Sequence, residues 1–268
     1  MRIIGLFLLL TMLSCFPSRG ARSNPTGDYA APQDNSNDFT PRLFNTLRNA
    51  ELPEDIILGI LAASEPDSTF FADLFACLED SQDLRFLVDK QHPLPADFAP
   101  TDLVTLEDGF FRVTRAGMTL RRPAVDSLNE MAAAARAEGI NLTVASAYRS
   151  FAYQTEVNTR LVRQMGQEAA DRVSARPGHS QHQTGLVVDF AQIDNAFNQS
   201  PAGRWVAANA SRFGWSLSYP QGYEAITGYS WESWHYRYVG RELAAFIDNY
   251  FGGIQQYALR FLHEWELL

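Results

Sequence analysis

The sequence has 268 residues, of which 46% are hydrophobic, which is enough for one sizeable globular domain with additional segments. Its formal net charge of −9 excludes the basic surface that nucleic-acid binding requires, so we expect no nucleic-acid partner.

The first 20 residues have the pattern of an export signal. Arg2 precedes an apolar run over 3–10 that is too short to span a bilayer. Two alternatives stay open, because Cys15 and the residue before it resemble a bacterial lipoprotein cleavage site, whereas an ordinary signal peptide would be removed near Gly20. In both cases we expect export to the periplasm or cell envelope, and the first adds membrane attachment through a lipid on Cys15.

Two segments of different character follow. Residues 21–40 are rich in Asn, Asp, Ser, Pro and Gly, which predicts a disordered tether. Residues 41–83 carry apolar side chains at helical spacing and predict two or three short helices that form a helical lead-in. Cys77 lies in an apolar stretch, where we expect a buried, small hydrophobic side chain. Residues 86–88 then predict a short strand.

Helices and strands alternate in the middle of the chain. A helix is predicted over Pro123–Glu138, a strand over Ile140–Val144 and a helix over Phe151–Met165. Arg149 therefore lies where a strand ends and a helix begins, a position from which side chains often project into clefts. The alternative is a solvated arginine whose stem packs on Tyr148.

The last third of the chain continues this alternation. A strand is predicted over 213–220, and helices are predicted over 167–173, 203–213, 241–251 and 254–268. The final helix is amphipathic, and we expect it to pack on the body of the protein.

The stretch over 177–190, PGHSQHQTGLVVDF, concentrates chemically active side chains. His182 and Asp189 are joined through a tight step at Gly185 and an apolar run that reads as a buried strand. A buried carboxylate is costly unless it is paired or bound to a metal, and imidazole and carboxylate are both zinc ligands. Two ligands do not hold a catalytic zinc, so a third is required.

His235 is the third ligand that we choose. His92 lies in a proline-flanked loop and His263 in the tail helix, and both settings favour surface roles. His179 is a candidate too, but the backbone between it and His182 is too tight for both to reach one metal comfortably. Two histidines and one carboxylate leave one zinc position open for water, which is typical of a catalytic site.

Glu232 is the candidate general base, and its alternative is a solvated strand carboxylate. Residues 229–239 alternate as a strand, and a strict period of two puts Glu232 and His235 on opposite faces. They meet at one site only if the strand is bulged, twisted or ends near Trp234. Arg149 is the best placed partner for a developing oxyanion.

Three segments in fixed order form a specific pattern: SAYRS over 146–150 followed by Gln154, SxHxxGxVxD over 180–189, and ExWH over 232–235. Together they resemble the signature of the zinc D-alanyl-D-alanine carboxypeptidase family of the VanY type. That family includes L,D-carboxypeptidases and shares its fold with the hedgehog signalling domain. The resemblance covers roughly residues 84–251.

The resemblance implies an α+β fold, in which a small antiparallel sheet is flanked by helices, and one Zn²⁺ per chain. It implies that Glu232 is the catalytic base and that Arg149 clamps the substrate and the oxyanion. It also implies the following zinc ligands and further substrate contacts: His182, Asp189 and His235 for the metal, and Tyr148, Gln154 and Ser180 for the peptide.

The implied activity is removal of the terminal D-alanine from peptidoglycan stem peptides, with D,D and L,D specificity both open. We expect the protein to be a monomer. An endopeptidase that cuts within the stem or cross-bridge is one alternative. A non-catalytic module that binds peptide or metal is the other. The carboxypeptidase domain is expected over 84–251 and a separate C-terminal helix over 252–268.

Overall fold

The computed structural model describes residues 39–65, 69–80 and 83–268. The predicted signal segment, including Cys15, lies outside the described residues. So does the tether up to residue 38. The ring of Phe39 lies 4.9 Å from that of Phe75, and a helix begins at Thr40, so residues 39 and 40, the last two assigned to the tether, are packed or helical.

Helices and short strands alternate along the described part of the chain. The helices are α1 (Thr40–Asn49), α2 (Glu54–Ala63), α3 (Phe70–Asp80), α4 (Arg122–Ala137), α5 (Phe151–Met165), α6 (Gln167–Val173), α7 (Pro201–Asn209), α8 (Glu224–Thr227), α9 (Arg241–Tyr250) and α10 (Gln255–Leu267). The strands are β1 (Leu103–Thr105), β2 (Arg112–Val113), β3 (Thr119–Arg121), β4 (Thr143–Ser146), β5 (Val187–Phe190), β6 (Trp215–Leu217) and β7 (His235–Tyr238). Short 3₁₀ helices cover Gln181–Thr184, Asn195–Gln199 and Ala210–Phe213. None of the described helices has the length and apolar character needed to cross a membrane.

The expected α+β fold is confirmed. Five strands form one sheet in the order β2-β4-β5-β7-β6, and β1 pairs with β3 in a separate antiparallel ladder. All neighbours in the larger sheet are antiparallel except β2 and β4, which are parallel. The sheet is therefore mixed at one edge, a detail that the sequence did not predict.

Two hydrophobic cores hold these elements. In the first, Leu128 and Met131 of α4 pack with Val144 of β4 and Phe190 of β5. The second core joins α1–α3 to α9 and α10, and the ring of Phe70 lies 5.7 Å from Phe246 and 6.2 Å from Phe261. The predicted lead-in and the predicted C-terminal helix thus bury their apolar faces against each other and α9, and Cys77 is buried among them.

The best predicted elements are α5 and α6, whose bounds agree with the sequence pattern at both ends. Ser150 caps α5 by accepting a hydrogen bond from the backbone N–H of Tyr153, and Gly166 separates the two helices.

The strand predicted over 86–88 is wrong. This segment has no regular secondary structure and belongs to neither of the described sheets. The guanidinium of Arg237 instead donates from Nη2 to the carbonyls of Leu84 and Phe86, at 2.7 and 2.8 Å. A buried side chain therefore satisfies carbonyls that a sheet ladder would otherwise use.

The strand predicted over 229–239 is too long. Only β7 is a strand, and Ser233 and Trp234 form a turn in which the N–H of His235 donates to the carbonyl of Glu232 at 3.3 Å. The pairing of β7 with β5 begins at His235, so the alternation does not extend back to Glu232. Of the three ways in which the two side chains were expected to meet, the strand ending near Trp234 is the one observed.

Two helical glycines allow a test of the packing at α7. A Cβ at Gly203 would lie 1.9 Å from the backbone oxygen of Phe197, whereas a Cβ at Gly59 in α2 would meet nothing within 4 Å. We expect Gly203→Ala to lower the free energy of unfolding by about 2 kcal/mol or more, because the backbone must move. Gly59→Ala, the matched control, should raise it by up to about 1 kcal/mol through helix propensity. Denaturant unfolding followed by circular dichroism measures both, and equal effects would contradict the packing described here.

Candidate metal centre

Three neighbouring strands present polar side chains at one point of the sheet. Asp189 of β5 is directly opposite His235 of β7, and Ser146 of β4 is paired with Asp189 on the other side. Directly opposite residues of antiparallel strands project to the same face. The strand register therefore places the carboxylate between a hydroxyl and an imidazole.

His182 reaches this point from the 3₁₀ helix that precedes β5. Gly185 ends that helix with φ +70°, and its N–H donates to the carbonyl of His182 at 3.2 Å. The ring of His182 donates from Nδ1 to the carbonyl of Ala147 at 2.7 Å. Because a carbonyl only accepts, this bond fixes the tautomer and leaves the lone pair of Nε2 facing Asp189, whose Oδ2 is 3.2 Å away.

His235 closes the group. Its Nδ1 lies 3.1 Å from Oδ1 of Asp189 and 3.2 Å from Oε2 of Glu232. Nε2 of His235 is buried and makes no hydrogen bond to the described residues, and Oδ1 of Asp189 also lacks one that satisfies hydrogen-bond geometry.

The three side chains suit a metal ion. One ligand atom from each of His182, Asp189 and His235 lies within 4.8 Å of the others, and all three residues are buried. Buried polar atoms without partners are costly, and a cation would satisfy them. Two imidazoles and one carboxylate form a donor set typical of catalytic zinc.

The protonation of the metal-free group follows from its burial and its charges. Burial lowers the pKa of His182 to about 4, despite the neighbouring Asp189 carboxylate. Burial also opposes the charged form of His235, but the adjacent carboxylates of Asp189 and Glu232 outweigh it and raise that pKa to about 9. Burial likewise opposes ionisation of Asp189, yet the two histidines hold its pKa well below the ordinary value.

Glu232 lies beside this group on the segment before the turn. Its backbone N–H donates to the carbonyl of Tyr219 at 3.0 Å, which fixes the segment against the end of β6. Burial raises the pKa of the Glu232 carboxyl, although the contact with His235 opposes the rise. A carboxylate with a raised pKa is a stronger base than one in water.

Arg149 lies between β4 and α5, as the strand–helix boundary predicted. Nη2 donates to Oγ of Ser146 at 3.2 Å and lies 4.0 Å from Oδ2 of Asp189. Nη1 donates to Oε1 of Gln154 at 2.9 Å. The guanidinium is thus fixed at the edge of the metal group, with part of its surface exposed.

Gln154 lies behind Arg149 rather than in the cleft. It is 0% exposed, and its Nε2 donates to the carbonyl of Ala175 at 2.6 Å and to Oγ of Ser174 at 3.2 Å. Both ends of the amide are therefore occupied. Gln154 thus holds the Arg149 guanidinium, and its expected contact with a peptide stays a prediction.

The three candidate ligands His182, Asp189 and His235 line a cleft of about 210 Å³. Arg149, Glu232 and Ser180 line it together with the three candidate ligands, whereas Tyr148 does not. Tyr219, Tyr229 and Trp234 form aromatic walls of the cleft that the sequence did not predict. The ring of Tyr219 lies 4.7 Å from that of His235. Aromatic residues are frequent throughout this part of the chain, so composition alone could not single these out.

The other histidines take part in different contacts. Nδ1 of His92 lies 2.8 Å from Oδ1 of Asp89, and the ring stacks edge-on against His263 at 5.2 Å. Nδ1 of His179 donates to the carbonyl of Asp89 at 2.7 Å. None of the three joins the candidate metal group, in agreement with the sequence-based choice of His235.

Comparison with known proteins gives consistent results. A family model described as D-alanyl-D-alanine carboxypeptidase, VanY, matches residues 117–241. The chain is 34% identical over 195 residues to the putative carboxypeptidase YodJ of Bacillus subtilis, which covers 68% of this chain and 71% of that protein. It is 31% identical over 198 residues to a D-alanyl-D-alanine carboxypeptidase of Enterococcus faecalis, covering 70% of each.

Two solved structures are similar in fold and sequence. The LdcB LD-carboxypeptidase superimposes with a TM-score of 0.57 at 35% identity, over 63% of this chain and 85% of that one. The D,D-pentapeptidase VanY of a VanB-type vancomycin resistance cassette, determined as a mutant in complex with Zn(II), gives 0.56 at 33% identity. That alignment covers 66% of this chain and 99% of the other.

The pKa values of the two histidines predict the protons that zinc binding displaces. At pH 7 His182 is already neutral and His235 carries a proton, because its pKa of about 9 lies above the pH. We expect binding of one Zn²⁺ at pH 6, below the pKa of about 7 of zinc-bound water, to release about one proton, and the affinity to fall about tenfold per unit as the pH drops from 6.5 to 5.5. Calorimetric titration in buffers of different ionisation enthalpy measures this number.

A variant outside the group provides the control. His263→Ala should leave both the affinity and the proton release unchanged, because His263 contacts His92 and not the metal group. Release of no proton, or of two, would contradict the assignment of the protonated ligand.

Proposed function

The chain belongs to the VanY family of D-alanyl-D-alanine carboxypeptidases, and from this premise we propose that it is a zinc-dependent carboxypeptidase that removes the terminal D-alanine from peptidoglycan stem peptides. The proposal depends above all on one observation, the convergence of His182, Asp189 and His235 beside the Glu232 carboxylate in one cleft. The names of its relatives support the reaction class, since they include a D-alanyl-D-alanine carboxypeptidase and an LD-carboxypeptidase.

His182, Asp189 and His235 would hold one zinc ion per chain. Zinc supplies Lewis acidity, which polarises a carbonyl oxygen and lowers the pKa of water to about 7. The protein contributes a fixed arrangement of ligands, because Asp189 and His235 lie on paired strands and the Ala147 carbonyl orients His182. A related pentapeptidase was solved as a Zn(II) complex, which supports the choice of metal.

Glu232 is the general base of the proposed reaction. Its carboxylate lies 3.2 Å from Nδ1 of His235, so it borders the proposed metal position without belonging to the ligand group. The raised pKa suits it to accept a proton from the attacking water and to return it to the leaving amine.

Arg149 is proposed to bind the developing oxyanion and the terminal carboxylate of the peptide. Its Nη atoms are held by Ser146 and Gln154, so little side-chain freedom is lost when a substrate binds. Ser180 lines the same cleft and is a further candidate contact for the carboxylate. Gln154 is proposed to act through Arg149, as a residue that positions its guanidinium.

A carboxypeptidase is favoured over the two alternatives. A clamp for a free carboxylate beside the ligand group suits a substrate that ends one residue after the cleaved bond, which an endopeptidase substrate does not. A binding module would not need Glu232, whose burial carries a free-energy cost. Export to the cell envelope, where stem peptides occur, remains part of the proposal.

Glu232→Gln tests the role of the base. We expect D-alanine release to fall by about a hundredfold or more, because the amide cannot accept the proton, while one Zn²⁺ per chain remains bound. The matched control is Glu242→Gln on the exposed first turn of α9, which should keep full activity. Mass spectrometry of muropeptide digests and metal analysis provide the two measurements. Normal turnover by Glu232→Gln would exclude this residue as the base.

The products distinguish the reaction classes. Incubated with pentapeptide and tetrapeptide muropeptides, the zinc-loaded protein should shorten at least one of them by a single alanine residue. Fragments cut inside the stem would favour an endopeptidase. Stoichiometric zinc with no cleavage of either peptide would favour the binding module.

A further inference from the structure

The only lysine of the sequence lies beside the proposed catalytic cleft. The chain has 22 lysine and arginine residues, of which only Lys90 is a lysine. Its ammonium group is 4.7 Å from the ring centroid of Tyr229 and donates to the carbonyl of Asp171 at 2.8 Å. Its stem passes so close to Gly228 that a Cβ there would lie 2.8 Å from Cδ of Lys90.

The loop that carries Lys90 is fixed from the C-terminal helix. The Asp89 carboxylate is 5% exposed and accepts from Nε2 of Gln256 in α10 at 2.7 Å. It also accepts from the backbone N–H groups of Gln91 and His92, at 2.8 and 2.9 Å. Although its side chain is exposed, Lys90 is therefore presented by an anchored backbone.

Lys90 borders a cavity of about 270 Å³, which Asp171, Ser174, Arg176, His179 and Tyr229 also line. Ser174 and Tyr229 line the catalytic cleft as well, so the two cavities meet at these residues.

The charged side chains that line this cavity, Lys90, Asp171 and Arg176, sum to one positive charge. Asp171 is paired with Arg176, whose Nη2 lies 2.7 Å from Oδ2 and whose Nε lies 3.1 Å from Oδ1. No carboxylate of the described residues lies within 4.0 Å of Lys90 Nζ, which leaves one positive charge without an ion-pair partner. The hydroxyl of Tyr229 is buried and makes no hydrogen bond to the described residues.

We propose that this cavity is a second carboxylate subsite, in which Lys90 and the Tyr229 hydroxyl bind an acidic group of the peptide on the amino-terminal side of the cleaved bond. The inference depends on the proposed function. The leaving D-alanine has a single carboxylate, which the Arg149 clamp takes, so a second one must belong to the retained part. Stem peptides offer two such groups, the α-carboxylate of a γ-linked glutamate at the second residue and a side-chain carboxylate of diaminopimelate at the third.

Paired substrates test the subsite. Three peptides of the same sequence are compared. The first has all its carboxylates free, the second is amidated at the second residue, and the third is amidated at the third residue. We expect one amide to lower kcat/KM of the zinc-loaded protein about three- to fivefold, the scale of a partly exposed ion pair, mainly through KM. The amide that has this effect identifies the group that the subsite binds.

Variants of Lys90 assign the effect. Lys90→Met keeps most of the aliphatic stem but removes the charge. We expect its kcat/KM to fall about three- to fivefold on the peptide with all carboxylates free, and to stay unchanged on the sensitive amide, the peptide whose amidation lowers kcat/KM of the unmodified protein. Lys90→Arg retains the charge and should restore most of the preference. Equal kcat/KM for all three peptides in the unmodified protein would overturn the subsite, and so would a loss in Lys90→Met that is equal on all three.

A binding measurement separates the subsite from the reaction. Reductive ¹³C-methylation of zinc-loaded Glu232→Gln labels one lysine and keeps its charge, so a single lysine-derived NMR signal reports the site. We expect a saturable shift with the free peptide and a much smaller one with the sensitive amide. Shifts that are absent or equal for all peptides would overturn the subsite. If the unmodified protein cleaves none of the peptides, the proposed function fails, whereas the NMR titration still decides the subsite.

Discussion

The rest of the site depends on the burial of the Asp189 carboxylate between two imidazoles. A carboxylate at 5% exposure loses most of its hydration, and this cost is offset only by positive charge or hydrogen bonds nearby. Without a metal, a proton on His235 supplies that charge. A zinc ion would supply it more fully and displace the proton. The strand pairing between β5 and β7 makes this exchange local, because it holds both side chains on one face whichever cation is present.

The helices outside the family match support the site without lining the cleft. The helices α1–α3, α9 and α10 share one hydrophobic core, and α10 extends from it to Asp89 through Gln256. Gln255, the residue before it, donates to the carbonyl of Ser216 in β6 at 3.3 Å. The C-terminal helix therefore fixes both a strand of the catalytic sheet and the loop that presents Lys90. A segment that contributes no lining residue to the cleft thus supports one strand of the sheet and the second cavity that Lys90 lines.

Much of the site could be predicted because its chemistry is local in the sequence. His182 and Asp189 lie in one short segment that passes from a 3₁₀ helix into a strand, and their residue types indicate a metal site. The sequence could not predict strand pairing and hydrogen bonds between residues that are far apart along the chain. The turn that brings Glu232 towards His235 is set by where β7 stops pairing with β5. The placement of Gln154 behind Arg149 depends on the Ser174 hydroxyl and the Ala175 carbonyl, which lie 20 and 21 residues further along the chain. Period-two alternation carries neither kind of information.

Metal dependence is the most direct test of the central claim, that one zinc ion held by His182, Asp189 and His235 enables this cleft to release D-alanine. Protein freed of metal by a chelator is titrated with Zn²⁺, and D-alanine released from pentapeptide and tetrapeptide muropeptides is measured at each addition. We predict no release without metal, a linear rise, and a plateau at one equivalent. Release that persists without metal, or binding of one equivalent with no release, would contradict the account.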